Sequence, residues 1–143
     1  MFGKKRVETT INQAMGKLRF IGPWVGKMSF PFESAMNQLD LYIYVDEDDK
    51  YNFQRQENVF KFLKGNQVAL SQKIQSVIRV AYDLNIDFSL SSRFTPNSIF
   101  IQMNGDCGIS FNDNNLDLEV SPECFVITIY PEVEYFGSVE DYT

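Results

Sequence analysis

The sequence of 143 residues contains no histidine and only two cysteines. Without histidine, the chain cannot use Ser-His-Asp or Cys-His catalysis, histidine-ligated zinc or a histidine pH switch. Cys107 and Cys124 are too few for a disulfide framework or a four-thiolate zinc site, and they suit a reducing compartment. Phosphate-binding glycine loops, dinucleotide fingerprints and nucleophile elbows are also missing. We therefore predict a protein that uses no cofactor and is not an enzyme.

The sequence also lacks long apolar runs. Nothing in it approaches the roughly 20 apolar residues of a membrane helix. No apolar core follows the basic N-terminal segment as it does in a signal peptide. We therefore expect a soluble, cytoplasmic protein that binds no membrane. Because the length is typical of one domain, we predict a single domain over residues 1–143, whose acidic tail at 132–143 packs partly against it.

Basic residues are absent from the last third of the chain. All 13 Lys and Arg residues lie at or before Arg93, together with 10 of the 19 acidic residues, so this part has a charge of +3. The nine acidic residues after Arg93 give the remainder a charge of −9, and the sum is the net charge of −6. An acidic field disfavours nucleic acid as a partner and attracts a basic protein or a cation. Solubility alone is the alternative explanation of this charge.

Two kinds of periodicity divide the chain into three stretches. Apolar residues alternate with polar ones in the first and third stretches, which predicts strands, and they recur at helical spacing in the second. The predicted strands cover residues 18–21, 28–32, 39–45, 98–103, 109–111, 116–120 and 125–130, and the predicted helices cover 54–64 and 67–85. This order, β-β-β-α-α-β-β-β-β, predicts an α+β fold: a mostly antiparallel sheet with two central helices packed on one face.

The strand at 39–45 provides the first candidate for a binding surface. Its apolar residues alternate with Asp40, Tyr42, Tyr44 and Asp46, so these four side chains point away from the predicted helices. Tyrosine is enriched at interface hot spots, and aspartate attracts Lys or Arg of a partner. With the acidic turn that follows, the predicted partner-binding residues are Asp40, Tyr42, Tyr44, Asp46, Asp48 and Asp49. The alternative is that another layer of the protein covers the two tyrosines.

Oxygen-rich side chains in the segment 112–119 make a second candidate site. Asp113, Asp117 and Glu119 carry carboxylates, which Ca²⁺ and Mg²⁺ prefer as ligands and which also serve as general acids and bases. The competing interpretation, which we favour, is a β-turn at 112–115 whose Asn and Asp side chains cap backbone groups. We therefore assign no metal to these three carboxylates.

A set of scattered residues covers most of the chain: Trp24, Gly26, Gln56 and the segments 60–62, 78–82, 111–119 and 136–141. In this pattern the chain resembles a group of small bacterial domains of unknown function. It differs from many members of the group, which have Trp and His in the acidic segment, because it has Leu116 there and no histidine. Some members are regarded as immunity-like proteins encoded beside polymorphic toxins, so the resemblance implies a cytoplasmic binding role.

Charge, surface pattern and resemblance together predict a small protein-binding module, immunity-like in role, whose acidic surface binds a basic protein such as a toxin. Two other classes of function fit the sequence. One is a carboxylate-based metal-binding or hydrolytic domain, and the other is a structural module that self-associates as a homo-oligomer through an edge strand.

Overall fold

The structure, a computed structural model, describes residues 7–115 and 124–142. Eight strands of these residues form one sheet, in which the spatial order of the strands equals their order in the sequence. The strands are β1 (Thr9–Asn12), β2 (Gly16–Phe20), β3 (Trp24–Phe32), β4 (Ala35–Ile43), β5 (Phe94–Ile101), β6 (Cys107–Asp113), β7 (Cys124–Tyr130) and β8 (Glu134–Ser138). The helices are α1 (Gln54–Gly65), α2 (Gln67–Ala81) and α3 (Val139–Tyr142), and two 3₁₀ turns lie at Glu47–Asp49 and Leu90–Ser92.

Neighbouring strands are antiparallel except for β4 and β5, which run side by side in the same direction. A hairpin cannot join parallel strands, so the chain must leave the end of β4 and return to the beginning of β5. The residues between these strands, including α1 and α2, make that crossover. The α+β class and the mostly antiparallel sheet predicted from the sequence are therefore confirmed.

The crossover helices bury apolar side chains against one face of the sheet, called here the inner face. Their buried apolar residues are Val59, Phe60 and Leu63 of α1 and Leu70, Ile74 and Ile78 of α2. They belong to the same core as the inner-face residues Leu39, Leu41, Ile43, Ile99, Ile109, Phe111 and Ile127. Burying one such side chain contributes roughly 1.5–3 kcal/mol, so this core holds both helices on the sheet.

The break between α1 and α2 lies where the sequence predicts it. α1 ends at Gly65 and α2 begins at Gln67, with Asn66 between them in a non-helical conformation. The Asn66 amide nitrogen donates to the Leu63 carbonyl at 3.2 Å, and its side-chain nitrogen donates to the Phe62 carbonyl at 2.8 Å. Asn66 thus satisfies carbonyl groups that the end of α1 leaves without helical partners.

The predicted order of elements is wrong in its details, because it omits two strands and one helix. β1 and β8 lie at the two edges of the sheet; Asn12 is the buried residue of β1, and no residue of β8 is buried. Strands with so few buried side chains show no apolar alternation that could reveal them. The predicted strand at 116–120 lies outside the described residues. The predicted turn at 112–115 overlaps a strand, because β6 continues to Asp113.

The acidic tail forms β8 and α3, and α3 packs on the outer face of the sheet, opposite to α1 and α2. β8 pairs with β7, and the ring of Tyr142 on α3 then lies against Gly108 of β6. A Cβ atom at position 108 would lie 2.9 Å from that ring, so glycine is what leaves room for the tyrosine. The Tyr142 hydroxyl is buried without a hydrogen-bond partner among the described residues, and burial is the main cause that raises its pKa.

A buried ion pair joins the residue before β5 to the end of β6. The Asp113 side chain is fully buried, and the Arg93 guanidinium donates two hydrogen bonds to it, at 2.8 and 2.9 Å. The guanidinium carbon also lies 5.0 and 4.9 Å from the ring centroids of Tyr82 and Phe94. The hydrogen bond to Asp113 raises the pKa of Arg93, so the buried carboxylate always faces a cation.

Replacing Arg93 by alanine leaves the Asp113 carboxylate buried without this cation. We expect the free energy of unfolding to fall by about 3–5 kcal/mol, the usual cost of breaking a buried pair. Urea unfolding followed by circular dichroism measures the loss. Arg19→Ala on the exposed side of β2 is the control, with an expected change within about 0.5 kcal/mol. Equal losses in the two variants would contradict the stabilising role of the pair.

Glu33 ties the turn between β3 and β4 to the segment before β5. Its carboxylate accepts hydrogen bonds from the backbone nitrogens of Leu90 at 3.1 Å and Ser91 at 2.7 Å. Arg79 of α2 lies 3.8 Å from the same carboxylate. Partial burial raises the pKa of Glu33, but the hydrogen bonds from Ser91 and Leu90 and the charge of Arg79 outweigh it, so the net pKa lies below its ordinary value of 4.5.

The lowered pKa makes the contribution of Glu33 to stability depend on pH. The ionised group stabilises the folded state above its ordinary pKa of 4.5, and this contribution disappears as the pH falls through the lower pKa of the folded state. We therefore expect wild type to exceed Glu33→Gln in urea midpoint most clearly above pH 4.5, with the gap narrowing in more acidic buffer. A gap that stays constant with pH would contradict an ionic role for Glu33.

Candidate functional site

The carboxyl ends of β4 and β5 form the edge of the sheet at which the candidate site lies. Because the two strands are parallel, both end there, and the pairing continues with a bond of 2.9 Å from the Tyr44 nitrogen to the Ile101 carbonyl. Five carboxylates follow these strand ends and are called here the acidic edge: Asp46, Glu47, Asp48, Asp49 and Asp106. They come from two segments of the chain more than 50 residues apart.

The first four residues of the acidic edge form a 3₁₀ turn and its N-cap, and all four are exposed to solvent. Asp46 caps this turn, because its side chain accepts a hydrogen bond of 3.0 Å from the Asp48 nitrogen. Asp49 accepts a hydrogen bond of 3.1 Å from the Asn52 side chain. The indole of the buried Trp24 donates to the Lys50 carbonyl at 2.8 Å and so fixes the end of the turn. These bonds hold the carboxylates in place while leaving their charges exposed.

The other predicted partner-binding residues lie farther back along β4 and are partly covered. Asp40 forms an ion pair of 2.5 Å with Lys27 of β3. The Tyr42 ring stacks on Phe100 of β5, with a centroid distance of 5.3 Å. Tyr44 is half-buried, and its pKa is raised first by burial and then by the proximity of Tyr42. The structure therefore brings Asp46, Asp48 and Asp49 together at the acidic edge. It places Asp40, Tyr42 and Tyr44 on the outer face, where Tyr42 and Tyr44 are half-buried and Asp40 pairs with Lys27.

Two grooves open on either side of Met103, in the turn between β5 and β6. The larger has a volume of about 550 Å³ and is lined by Asp46, Asp49, Asn52, Gln54, Arg55, Gln56, Asn58 and Met103. The smaller has a volume of about 410 Å³ and is lined by Gln102, Met103, Asn104, Asp106, Phe136 and Tyr142. Met103 is 52% exposed and belongs to both. Three carboxylates of the acidic edge, Asp46, Asp49 and Asp106, thus share a groove with an apolar side chain that the sequence reasoning missed.

Gln56 of α1 connects the ends of β4 and β5. It is only 4% exposed, and its side-chain nitrogen donates to the carbonyls of Tyr44 at 3.0 Å and Met103 at 3.3 Å. Gln56 shares the buried side of α1 with Phe60 and Leu63. A polar residue at an apolar position of a helix is a local signal that sequence reasoning could have used, although it does not identify the two acceptors.

Of the three carboxylates considered for a metal site, the structure describes Asp113. Asp113 is held by Arg93 at the opposite end of β5, and Asp117 and Glu119 lie outside the described residues. Over residues 7–115 and 124–142, no group of three or more His, Cys, Asp or Glu side chains is arranged to hold a metal ion. Cys107 is buried, which raises the pKa of its thiol, and Cys124 donates to the Asn112 side-chain oxygen at 2.9 Å.

Comparison of this chain with protein-family models, with curated proteins and with solved structures finds no match in any of the three. None of the helices in the described part of the chain is long and apolar enough to cross a bilayer.

Removing the Gln56 side chain tests whether it holds the strand ends together. Gln56→Ala removes the side chain that donates to the carbonyls of Tyr44 and Met103, so we expect a loss of about 1–3 kcal/mol in the free energy of unfolding. We also expect faster amide hydrogen exchange at residues 102–105, measured by mass spectrometry. Gln54→Ala is the control, since Gln54 lies exposed on the same helix. If both variants exchange like wild type in that turn, Gln56 does not position it.

Proposed function

We propose that this protein is a small protein-binding module, immunity-like in role, whose acidic edge binds a basic partner protein. The observation that supports the proposal is the convergence of carboxylates at the shared end of β4 and β5. In the described residues, no salt bridge includes Asp46, Glu47, Asp48, Asp49 or Asp106. Their charge is therefore available to a partner.

Two basic residues, Lys50 and Arg55, lie near the acidic edge without forming a salt bridge with it among the described residues. Lys50 follows the turn directly, but its ammonium group pairs with Glu8 at 2.6 Å and lies over the Phe20 ring. Arg55 lines the larger groove and donates to the Met103 carbonyl at 3.5 Å. The five carboxylates outnumber Arg55, so the surface has a net negative charge, which attracts Lys and Arg of an approaching protein and accelerates association.

An immunity-like role agrees with this charge and with the resemblance described from the sequence. A module of that kind works in the cytoplasm and needs a surface prepared for one cognate toxin. A basic toxin is thus the proposed class of partner. The proposal involves no catalysis, no cofactor, no nucleic acid and no membrane.

Neutralising two carboxylates of the acidic edge tests the proposal. The tagged protein is first used to capture a partner, at low and at moderate salt, from a lysate of the organism that encodes it. Association of the purified partner is then measured with wild type and with Asp48→Asn/Asp49→Asn. We expect the association rate constant to fall several-fold at low salt, because steering charges are lost. The difference shrinks as added salt shortens the Debye length from about 10 Å at 0.1 M to about 3 Å at 1 M.

The matched control is Asp83→Asn/Asp87→Asn. This variant also removes two negative charges, but from exposed positions between α2 and β5, at the opposite end of the sheet. We expect it to leave the association rate nearly unchanged. If both double variants associate equally slowly, the effect comes from the net charge of the protein and not from the acidic edge, which contradicts the proposal. An unchanged association rate in Asp48→Asn/Asp49→Asn at low salt would contradict it as well.

A further inference from the structure

Met103 has an exposed apolar side chain that lines two grooves together with carboxylates. It is 52% exposed, and the two grooves meet at it. Asp46 and Asp49 line the groove on one side of Met103, and Asp106 lines the groove on the other. Most interfaces have this composition, with an apolar centre and a polar rim.

The turn that carries Met103 is fixed by hydrogen bonds before any partner arrives. The Met103 carbonyl accepts a hydrogen bond from the Gln56 side chain. The Gln102 nitrogen donates to the Asp106 carbonyl at 2.7 Å, and the Gly105 nitrogen donates to the Gln102 carbonyl at 2.9 Å. Gly105 has a positive φ of 94°, and a Cβ atom there would lie 3.1 Å from the Arg55 side chain. Binding to a fixed turn loses little conformational entropy, which favours affinity.

A second exposed apolar side chain extends the surface across the smaller groove. Phe136 of β8 is 46% exposed, and its ring lies 5.0 Å from that of Tyr142. Gln102 donates to the Tyr142 carbonyl at 3.1 Å and so joins α3 to the turn. Met103 and Phe136 therefore line the smaller groove together with Asp106, and Met103 also lines the larger groove with Asp46 and Asp49.

We infer that Met103 is the apolar anchor of an interface with a basic peptide segment of the partner protein, which lies across both grooves. An apolar side chain of the segment packs on Met103, while Lys or Arg residues on either side reach Asp46 and Asp49 in one groove and Asp106 in the other. The charge complementarity selects a basic segment. The exposed thioether of Met103, which adapts to partners of different shape, favours a segment that has an apolar residue between its Lys or Arg residues. This inference rests on the proposed function and specifies its partner.

Methyl NMR of the full chain tests the inference without the natural partner. The protein is labelled uniformly with ¹⁵N and with ¹³C at its methionine methyl groups, and two synthetic peptides are added: Lys-Lys-Leu-Lys-Lys and Lys-Lys-Ser-Lys-Lys, both with blocked ends. We expect the leucine peptide to shift the Met103 methyl signal and to bind with a Kd roughly fivefold lower than the serine peptide, since burying apolar surface adds affinity. Met103→Gln abolishes that preference.

Three other methionines provide internal controls. Met36 is 63% exposed at the opposite end of β4, so its methyl signal reports non-specific contact. Met15 and Met28 are buried, so their signals show that each variant is folded. We expect Met36→Gln to keep the full preference for leucine.

The outcomes separate the inference from the function on which it rests. Equal affinity for the two peptides, with shifts of the Asp48 and Asp49 amide signals, would overturn the anchor and leave the acidic edge as a binding surface. A Met36 shift as large as that of Met103 would overturn the anchor as well. The absence of any shift at the acidic edge with either peptide would count against both the anchor and the proposed function.

Discussion

The parallel pairing of β4 with β5 is the constraint on which the remainder of the structure depends. Since β4 and β5 run in the same direction, the chain between them must cross the sheet, and α1 and α2 make that crossing. The same helices bury the inner face. Parallel strands also end at the same edge, so the turn after β4 and the turn after β5 become neighbours. The acidic edge, the two grooves and the central position of Met103 all follow from this one pairing.

The two ends of the sheet differ in whether their carboxylates form salt bridges. At the end where β4 and β5 begin, Asp113 and Glu33 face Arg93 and Arg79, and backbone nitrogens also bind Glu33. At the end where they finish, the five carboxylates of the acidic edge form no salt bridge among the described residues, and the nearby Lys50 pairs with Glu8 instead. The paired charges stabilise the fold, and the charges of the acidic edge are those that the proposed function assigns to recognition. This division places the stabilising ions and the proposed binding surface at opposite ends of the sheet.

Sequence reasoning succeeds where a local pattern fixes the environment, and it fails where the environment depends on distant residues. The alternation of Leu39 and Leu41 with polar neighbours predicts β4, and helical spacing predicts α1 and α2. β1 and β8 leave no such pattern because they bury too little. Asp113 has the polarity of a turn residue, yet Arg93, 20 residues away, allows its burial. The Met103 carbonyl is likewise bound by Gln56, 47 residues before it, so the sequence predicts the acidic turn but not the position of Met103 beside it.

The match between strand order and sequence order has a consequence for how the chain reaches its fold. β1 to β4 and β5 to β8 are two meanders in which each strand pairs with its neighbour in the sequence, so each can form with short loops to close. The parallel pair is different, since Asp40 meets Ser98, 98 − 40 = 58 residues later. Closing a longer loop costs more entropy, and such contacts slow folding. We therefore expect the pairing of β4 with β5, which connects the two meanders, to form late in folding. The acidic edge is then assembled only when that pairing is complete.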